Sequence, residues 1–489
     1  MHQLPIKLYC NEQIRALEQL AIQQHGVAGF ELMSRAGNAL FQHISQLCPN
    51  AQSVAVFCGA GNNAGDGYIV ANLLHNSGFH VCVYSVAYTC QLKGDALTAY
   101  QHYTAAHGKV IQYQLGLNFC ADVIIDALFG TGLNKIVTGI YAHAIETINQ
   151  NRAFVLAVDV PSGLNADTGN VMGCAVKANA TVTFIGLKQG LFTGQAADYC
   201  GDIVYDSLAI ANAVLATEVP SAVRVIPQSL PKRLQASHKG HYGHVLVIGG
   251  EHGYSGAARL AGEAALRVGS GLVSVATRSN HAGLININRP ELMCHGVESA
   301  EQLLPLLNKI SVIAIGTGLG QSDWAIELLI TVILATQKPL ILDADALNLL
   351  ASNPIVNPNW ILTPHPAEAA RLLNCTTDEV QQDRFAAVSA LQAKYQGVVI
   401  LKGAGTLIAS DKGIAISNTG NPGMASGGMG DVLTGVLAGL VAQGLSLEQA
   451  AQQGVYLHGK AADSAAQADG ARGLLASDLM PYLRRGVNE

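Results

Sequence analysis

Short aliphatic runs recur along the chain, most of them followed by a loop with polar residues or glycine, and helical stretches intervene. They come in two series. The first is SVAVFCG, HVCVYSV, DVIIDALFG, AFVLAVDVPSG and ATVTFIG. The second is HVLVIGG, LVSVAT, VIAIGTG, PLILDADAL, WILTPHP and VVILKGAG, then TLIAS and GIAIS. Runs that are apolar at consecutive positions are buried on both faces, and strands that alternate with helices pair in parallel. The expected fold class is therefore α/β. The two series share no motif, so two different domains are expected. Between about Ile210 and Lys239 the rhythm lapses around Pro220, Pro227 and Pro231, which marks a connector. The boundary is set near residue 219, giving domains 1–219 and 220–489. Ahead of the first strand, Asn11 to about Leu47 is read as helical, with Asn11 as the N-cap.

Composition removes several alternatives. With 49% apolar and 13% charged residues the chain is not disordered. Its 52 glycines in 489 residues exceed the ordinary share of about 7%, but without a three-residue period, which excludes collagen. A net charge of -6 gives no electrostatic reason to expect nucleic acid or an anionic membrane as partner. The N-terminus has no apolar core of signal-peptide length. The uncharged stretch Gly67 to Leu92 holds His75, Asn76, Ser77, Gly78 and His80 and reads as helix, turn, strand, while Val432 to Leu447 is too short to span a membrane. Ten cysteines without a CxxC pair, several of them inside apolar runs, read as reduced thiols. A cytoplasmic protein is expected.

The first series carries three polar strand ends. Gly59-Ala60-Gly61-Asn62-Asn63-Ala64-Gly65-Asp66-Gly67 lies between a strand and a helix, where backbone N–H groups and the helix N-terminus favour an anion. Its spacing is GxGxxxG, not GxGxxG. DVIIDALFGTGLNKI ends a strand on Asp126, and VLAVDVPSGLNADTG ends another on Asp159, followed by Ser162. Carboxylates at the ends of parallel strands converge on one crevice. The three motifs, in this order, resemble the NAD(P)H-hydrate epimerase family over most of residues 10–215. The resemblance implies a Rossmann-like, three-layer αβα domain that interconverts the C6 epimers of hydrated NADH or NADPH and binds K⁺. It assigns Asn63, Asp126 and Ser162 to K⁺, together with backbone carbonyls. To the hydrated nucleotide it assigns Asn62, Asn63, Ala64, Gly65 and Asp66, the loop Gly130, Thr131, Gly132, Leu133, Asn134, Lys135 and Ile136, then Tyr141 and Asp159. Asp159 is the candidate acid/base and Lys135 a weaker second.

The second series carries Lys402-Gly403-Ala404-Gly405-Thr406 after a strand, and NTGNPGMASGGMGD, ending on Asp431, at the opening of a helix. A glycine run opening a helix cradles anions, and an aspartate beside it is placed to take a proton from a hydroxyl that attacks a phosphoryl group. No Walker A motif occurs. GGMGD resembles the GxGD motif of ribokinase-like kinases. SHKGHYGHVLVIGG, SGAARLAGEAALRVGSGLV, LDADALN, LTPHPAEAARLL and ASGGMGDVLTG resemble the ADP-dependent NAD(P)H-hydrate dehydratase family over residues 237–480. The resemblance implies a ribokinase-like αβα domain. It assigns Lys402, Gly403, Ala404, Gly405, Thr406 and Gly430 to ADP, and Ala257, Ala258, Gly318, His365 and Asp431 to the hydrated nucleotide. Mg²⁺ is expected between the phosphates, with Glu368 behind it. Asp431 is the expected catalytic base.

His238, His241 and His244 sit at three-residue spacing, but no fourth ligand stands nearby and zinc is not expected. Asp343 and Asp345 in LDADAL could bind metal, but read rather as shapers of a strand-end turn near the site. The expectation for the whole chain is a bifunctional repair enzyme acting on hydrated NADH and NADPH with ADP, with no nucleic-acid or membrane partner, and homo-oligomeric as such enzymes commonly are. The alternative is a ribokinase-like small-molecule kinase fused to a regulatory nucleotide-binding domain.

Overall fold

A computed structural model describes residues 4–489. The chain divides into two compact units between Val223 and Arg224, four residues beyond the boundary read from the sequence.

In the first unit seven strands form one parallel sheet. They are β1 (Ser53–Cys58), β2 (His80–Ser85), β3 (Lys109–Gln112), β4 (Val123–Ala127), β5 (Phe154–Val158), β6 (Ala180–Phe184) and β7 (Asp202–Asp206). Their order is β3-β2-β1-β4-β5-β6-β7, a doubly wound topology whose switch point lies between β1 and β4. Alternate residues of β1 enter different cores. Val54, Val56 and Cys58 pack with the helices Asn11–His25, Gly29–Leu47 and Asn62–Asn76, and Ala55 and Phe57 pack with Gly139–Asn149. The sheet is thus the middle of three layers, which is why its strands are apolar on both faces.

The opening helical stretch is two helices rather than one. Gly26 adopts a left-handed φ of 67° and ends the first helix, and the second starts at Gly29. Cys10, not Asn11, stands at the N-cap. Asn11 instead donates its backbone N–H and its side-chain amide to Asp167, at 2.6 and 3.0 Å.

The second unit has its own sheet. Its strands are β8 (His244–Ile248), β9 (Leu272–Thr277), β10 (Leu292–Gly296), β11 (Val312–Ile315), β12 (Leu340–Leu342), β13 (Trp360–Leu362), β14 (Val398–Leu401), β15 (Thr406–Ser410) and β16 (Gly413–Ser417). They run β10-β9-β8-β11-β12-β13-β14-β15-β16, parallel as far as β14 and antiparallel through the β15–β16 hairpin. Val245, Leu246, Val247 and Ile248 are all fully buried, so both faces of β8 are covered. The helix Met429–Ala442 packs along Ser255–Arg267, where a Cβ on Gly435 would stand 2.0 Å from the Ala261 carbonyl oxygen. Gly435 is therefore a packing glycine. No helix among the described residues is long and apolar enough to cross a membrane.

Candidate functional site

In the first unit the loops after β1 and β4 meet at the switch point. A Cβ on Gly59 would lie 2.1 Å from the Leu128 carbonyl oxygen, so only glycine permits this approach. The loops open a cleft of about 740 Å³ lined by Asn62, Asn63, Asp66, residues 130–136, Tyr141 and Asp159. Ala64 and Gly65 do not line it. Ala64 is fully buried, and a Cβ on Gly65 would collide with Met33.

Asp126 and Ser162 are fully buried behind the cleft. The Ser162 hydroxyl and backbone N–H donate to the two Asp126 oxygens at 2.6 and 2.7 Å, and Phe129 N–H donates to the Ser162 hydroxyl at 2.8 Å. Burial pushes Asp126 up to about 6, against the pull of these bonds. Asn63 lies alongside: its amide oxygen is 3.3 Å from where a Cβ of Gly130 would be, and its buried amide nitrogen has no hydrogen-bond partner. The Asn63 amide oxygen, the Ser162 hydroxyl and the Asp126 carboxylate are the oxygen atoms this corner offers to a hard cation; the unpartnered Asn63 nitrogen is a hydrogen-bond donor.

Asp159 ends β5 in an unusual conformation. Its φ is 66°, and the Val160 N–H bonds back to the Val158 carbonyl at 2.8 Å, a γ-turn of the rare positive-φ kind. The end of β6 repeats this at Ile185, with φ 67° and a 2.7 Å bond from Gly186 N–H to the Phe184 carbonyl. Between the two turns Asp159 pairs with Lys188. Glu18 and Asp66 share the cleft with this pair, and both carboxyls are held above their usual range, first by burial and then by the Asp159 charge. Sequence reasoning missed Glu18 and Lys188. Glu18 is remote in sequence from every glycine loop, and Lys188 sits in an unremarkable IGLKQG.

In the second unit the loops after β8 and β11 meet in the same manner. Gly250 and Glu251 N–H groups bond the Thr317 and Gly318 carbonyls at 3.2 and 2.7 Å. Gly318 has φ 58°, and a Cβ there would stand 3.1 Å from the Ala257 Cβ. Ala257 and Gly318 are thus neighbours, while Ala258 is fully buried.

The centre of this unit is Asp343, 1% exposed at the end of β12. Its carboxylate takes Lys402 Nζ at 2.8 Å, the Thr363 hydroxyl at 2.7 Å and the Thr434 hydroxyl at 2.8 Å. Burial opposes its charge, yet Lys402 and the two hydroxyls hold it below the usual carboxylate range. Burial likewise opposes the Lys402 charge, but Asp343 and Glu368, the latter at 3.8 Å, hold its ammonium above the usual range. A Cβ on Gly430 would lie 3.3 Å from Lys402 Nζ, which seats the ammonium at the mouth of the glycine-opened helix. Asp431 follows in that helix's first turn and is pushed up to about 7, first by burial and then by the Asp343 charge. Asp343 is therefore more than a turn former; it anchors the site.

His365 is the N-cap of the helix Pro366–Leu373, its Nδ1 accepting from Ala367 N–H at 3.1 Å while Glu368 accepts the His365 N–H at 2.8 Å. Its Nε2 remains 3.3 Å from Glu368. Gly403 and Gly405 take left-handed φ values of 142° and 62°, and the Thr406 hydroxyl closes the loop on the Gly403 carbonyl at 2.9 Å. Beneath it Arg384, 2% exposed, donates to the Leu401 and Lys402 carbonyls. Nothing in its sequence context signals that buried arginine.

Comparison with known proteins matches both units. The family described as NAD(P)H-hydrate dehydratase matches residues 245–485, and the YjeF-related protein N-terminus matches residues 29–190. A bifunctional NAD(P)H-hydrate repair enzyme of Coxiella burnetii is 51% identical, covering 98% of this chain and 99% of its own. Its counterparts in Vibrio cholerae and Escherichia coli are 43% and 42% identical, each over 99% of this chain and 99% and 95% of their own. A solved ADP/ATP-dependent NAD(P)H-hydrate dehydratase from Bacillus subtilis, co-crystallised with ATP and Mg²⁺, is 35% identical over 53% of this chain and 93% of its own, with a TM-score of 0.49.

Proposed function

The chain belongs to the bifunctional NAD(P)H-hydrate repair enzymes, and from that premise we propose how its two units divide the work. The unit ending near residue 219–223 epimerises hydrated NADH and NADPH at C6. The unit that follows dehydrates the S epimer to NAD(P)H, using ADP as phosphoryl donor and giving AMP and phosphate. Both epimers of a damaged cofactor are thereby restored. What carries this is a match over nearly the whole length, joined to a cluster of buried polar groups at strand ends in each unit.

In the epimerase cleft Asp159 is the acid/base that moves a proton as the hydrate opens and recloses. Asn62, Asn63, Asp66, residues 130–136 and Tyr141 hold the nucleotide, and Lys135 is the weaker alternative for proton transfer. Asn63 through its amide oxygen, Asp126, Ser162 and neighbouring carbonyls hold K⁺, and the fully buried Asp126 carboxylate beside the Ser162 hydroxyl supports that fit. Bound there, the ion supplies fixed positive charge against the carboxylate and the nucleotide.

In the dehydratase unit Ala257, Gly318 and His365 hold the hydrated ring, while Lys402 to Thr406 and Gly430 hold ADP. Asp431 takes the proton from the C6 hydroxyl, whose oxygen attacks the β-phosphorus, and AMP leaves. The ring nitrogen lone pair then expels phosphate from C6, and loss of a C5 proton restores the dihydropyridine. The Gly428–Gly430 amides stabilise the transferring phosphoryl oxygens. Magnesium, bound together with ADP, would supply positive charge to the phosphates. Glu368 stands behind it. Homo-oligomeric assembly and a cytoplasmic setting belong to the same proposal; ten free thiols support the second.

The test supplies mixed-epimer hydrated NADH with ADP or with ATP. Full recovery of reduced-nicotinamide absorbance, with AMP released from ADP, is expected. A stable phosphorylated product would establish the kinase alternative instead.

A further inference from the structure

Lys188 is the most deeply buried cation of the first unit, with a side chain 1% exposed against 16% for Asp159. Burying an ammonium is costly unless every proton finds an acceptor. Here each does: one on Asp159 Oδ1, one on the Thr183 hydroxyl at 3.1 Å, and one on the Phe184 carbonyl at 2.9 Å. No proton remains for a phosphate or a hydroxyl in the cleft, so Lys188 does not hold substrate.

The same bonds make the Asp159 carboxylate unsymmetrical. Oδ1 takes three donors, Lys188 Nζ, the Thr183 hydroxyl at 3.1 Å and Phe184 N–H at 3.1 Å. Oδ2 has no hydrogen-bond donor among the described residues, and Asp159 lines the cleft. The two positive-φ γ-turns, at Asp159 and at Ile185, are what turn these neighbouring strand ends toward the shared ion pair. Positive φ is rare for a β-branched residue such as Ile185, and such strain persists where the surroundings enforce it and gathers at functional sites.

We infer that Lys188 is a positioning residue, which locks Oδ1 of Asp159 inside the fold and leaves Oδ2 as the atom that exchanges a proton with the hydrated nicotinamide. This rests on the epimerase reading of the cleft.

The test follows interconversion of the two epimers of hydrated NADPH by the full-length chain without ADP, so that dehydration does not intervene. A double-mutant cycle between positions 159 and 188 separates acting through Asp159 from acting independently. Lys188→Met is expected to lower kcat at least 30-fold with KM within threefold. In the Asp159→Asn background the same change is expected to alter the rate less than twofold, and the double variant contains no unpaired buried charge. Should Lys188→Met alone fail to fold, Thr183→Val carries the test, with kcat lowered three- to tenfold in the parent and unchanged in Asp159→Asn. A raised KM with kcat unchanged, a Lys188→Met kcat within threefold of the parent, or losses that multiply in the Asp159→Asn background would overturn the inference. A parent protein that never exceeds the spontaneous rate would instead overturn the epimerase reading itself.

Discussion

Lys402 and Asp343 meet at 2.8 Å across the mouth of the helix that begins at Met429, although 59 residues separate them in the chain. Asp343 closes β12, and Lys402 closes β14 and leads into the Gly403–Gly405 loop, so the ion pair forms only when β12 and β14 are both in the sheet. Removing Asp343 leaves the Lys402 ammonium with only the more distant Glu368, at 3.8 Å, as counter-charge in a largely buried setting. Asp343→Asn should therefore cost about 2–4 kcal/mol of stability. It should also abolish dehydration, because Lys402 loses its anchor. Denaturant titration and an ADP-dependent absorbance assay measure the two effects. The paired variant Asp343→Asn with Lys402→Met should regain stability without regaining activity.

Asp431 gives the dehydratase a defined pH behaviour. As a base it must be ionised, so kcat should fall as pH drops below about 7. Its effect on stability has the opposite sense. The folded state holds this proton up to about 7, whereas an unfolded aspartate releases it near 3.8, so stability falls as pH rises between those values. Asp431→Asn should lower kcat by about 10²–10⁴ while raising the melting temperature at pH 8. An equal loss of both would exclude the assignment.

The glycine-opened helix separates binding from folding. A Cβ at position 430 would stand 3.3 Å from Lys402 Nζ and 3.6 Å from Asp343 Oδ2, and would crowd the proposed phosphate seat. Within a helix Gly→Ala adds roughly 0.5–1 kcal/mol of stability. Gly430→Ala should therefore raise KM for ADP about tenfold or more while leaving the unfolding midpoint at or above that of the parent, as titration calorimetry and thermal melts would record.

Ser162 supports Asp126 through a hydroxyl and a backbone N–H. Ser162→Ala leaves the backbone bond and removes the charge-assisted hydroxyl bond, a loss of about 1.5–3 kcal/mol. Epimerisation by this variant should fall and lose its response to K⁺ over Na⁺, while dehydration of the pure S epimer is unchanged.

Much of this was legible in the chain. Aliphatic strands, glycine loops and three aspartates at strand or helix ends are local patterns; Asp159 lines its cleft, Asp126 lies buried behind it and Asp431 stands in the first turn of the glycine-opened helix. What was hidden depends on tertiary approach. Glu18 reaches the first cleft from a helix with no glycine loop nearby, and Lys188 and Arg384 are buried cations whose sequence neighbours give no warning. Asp343 was read as a turn former because its lysine lies 59 residues away. Ala64, Gly65 and Ala258 sit within motifs, but they face the interior, since a helix that opens a site also has to pack. The helical stretch read from Asn11 to about Leu47 holds two helices because a left-handed Gly26 ends the first, and the period of apolar residues does not register one such residue.

The left-handed backbone at Asp159 bears on how this unit can change over generations. Among non-glycine residues that conformation is met most readily by aspartate and asparagine. The two differ by a charge and by a single base in their codons. Glutamate or a branched residue would disturb the turn itself. The easiest replacement is thus one that keeps the turn and removes the proposed proton carrier. A lineage released from the need to epimerise would lose the chemistry here first and be left with an intact nucleotide-binding module.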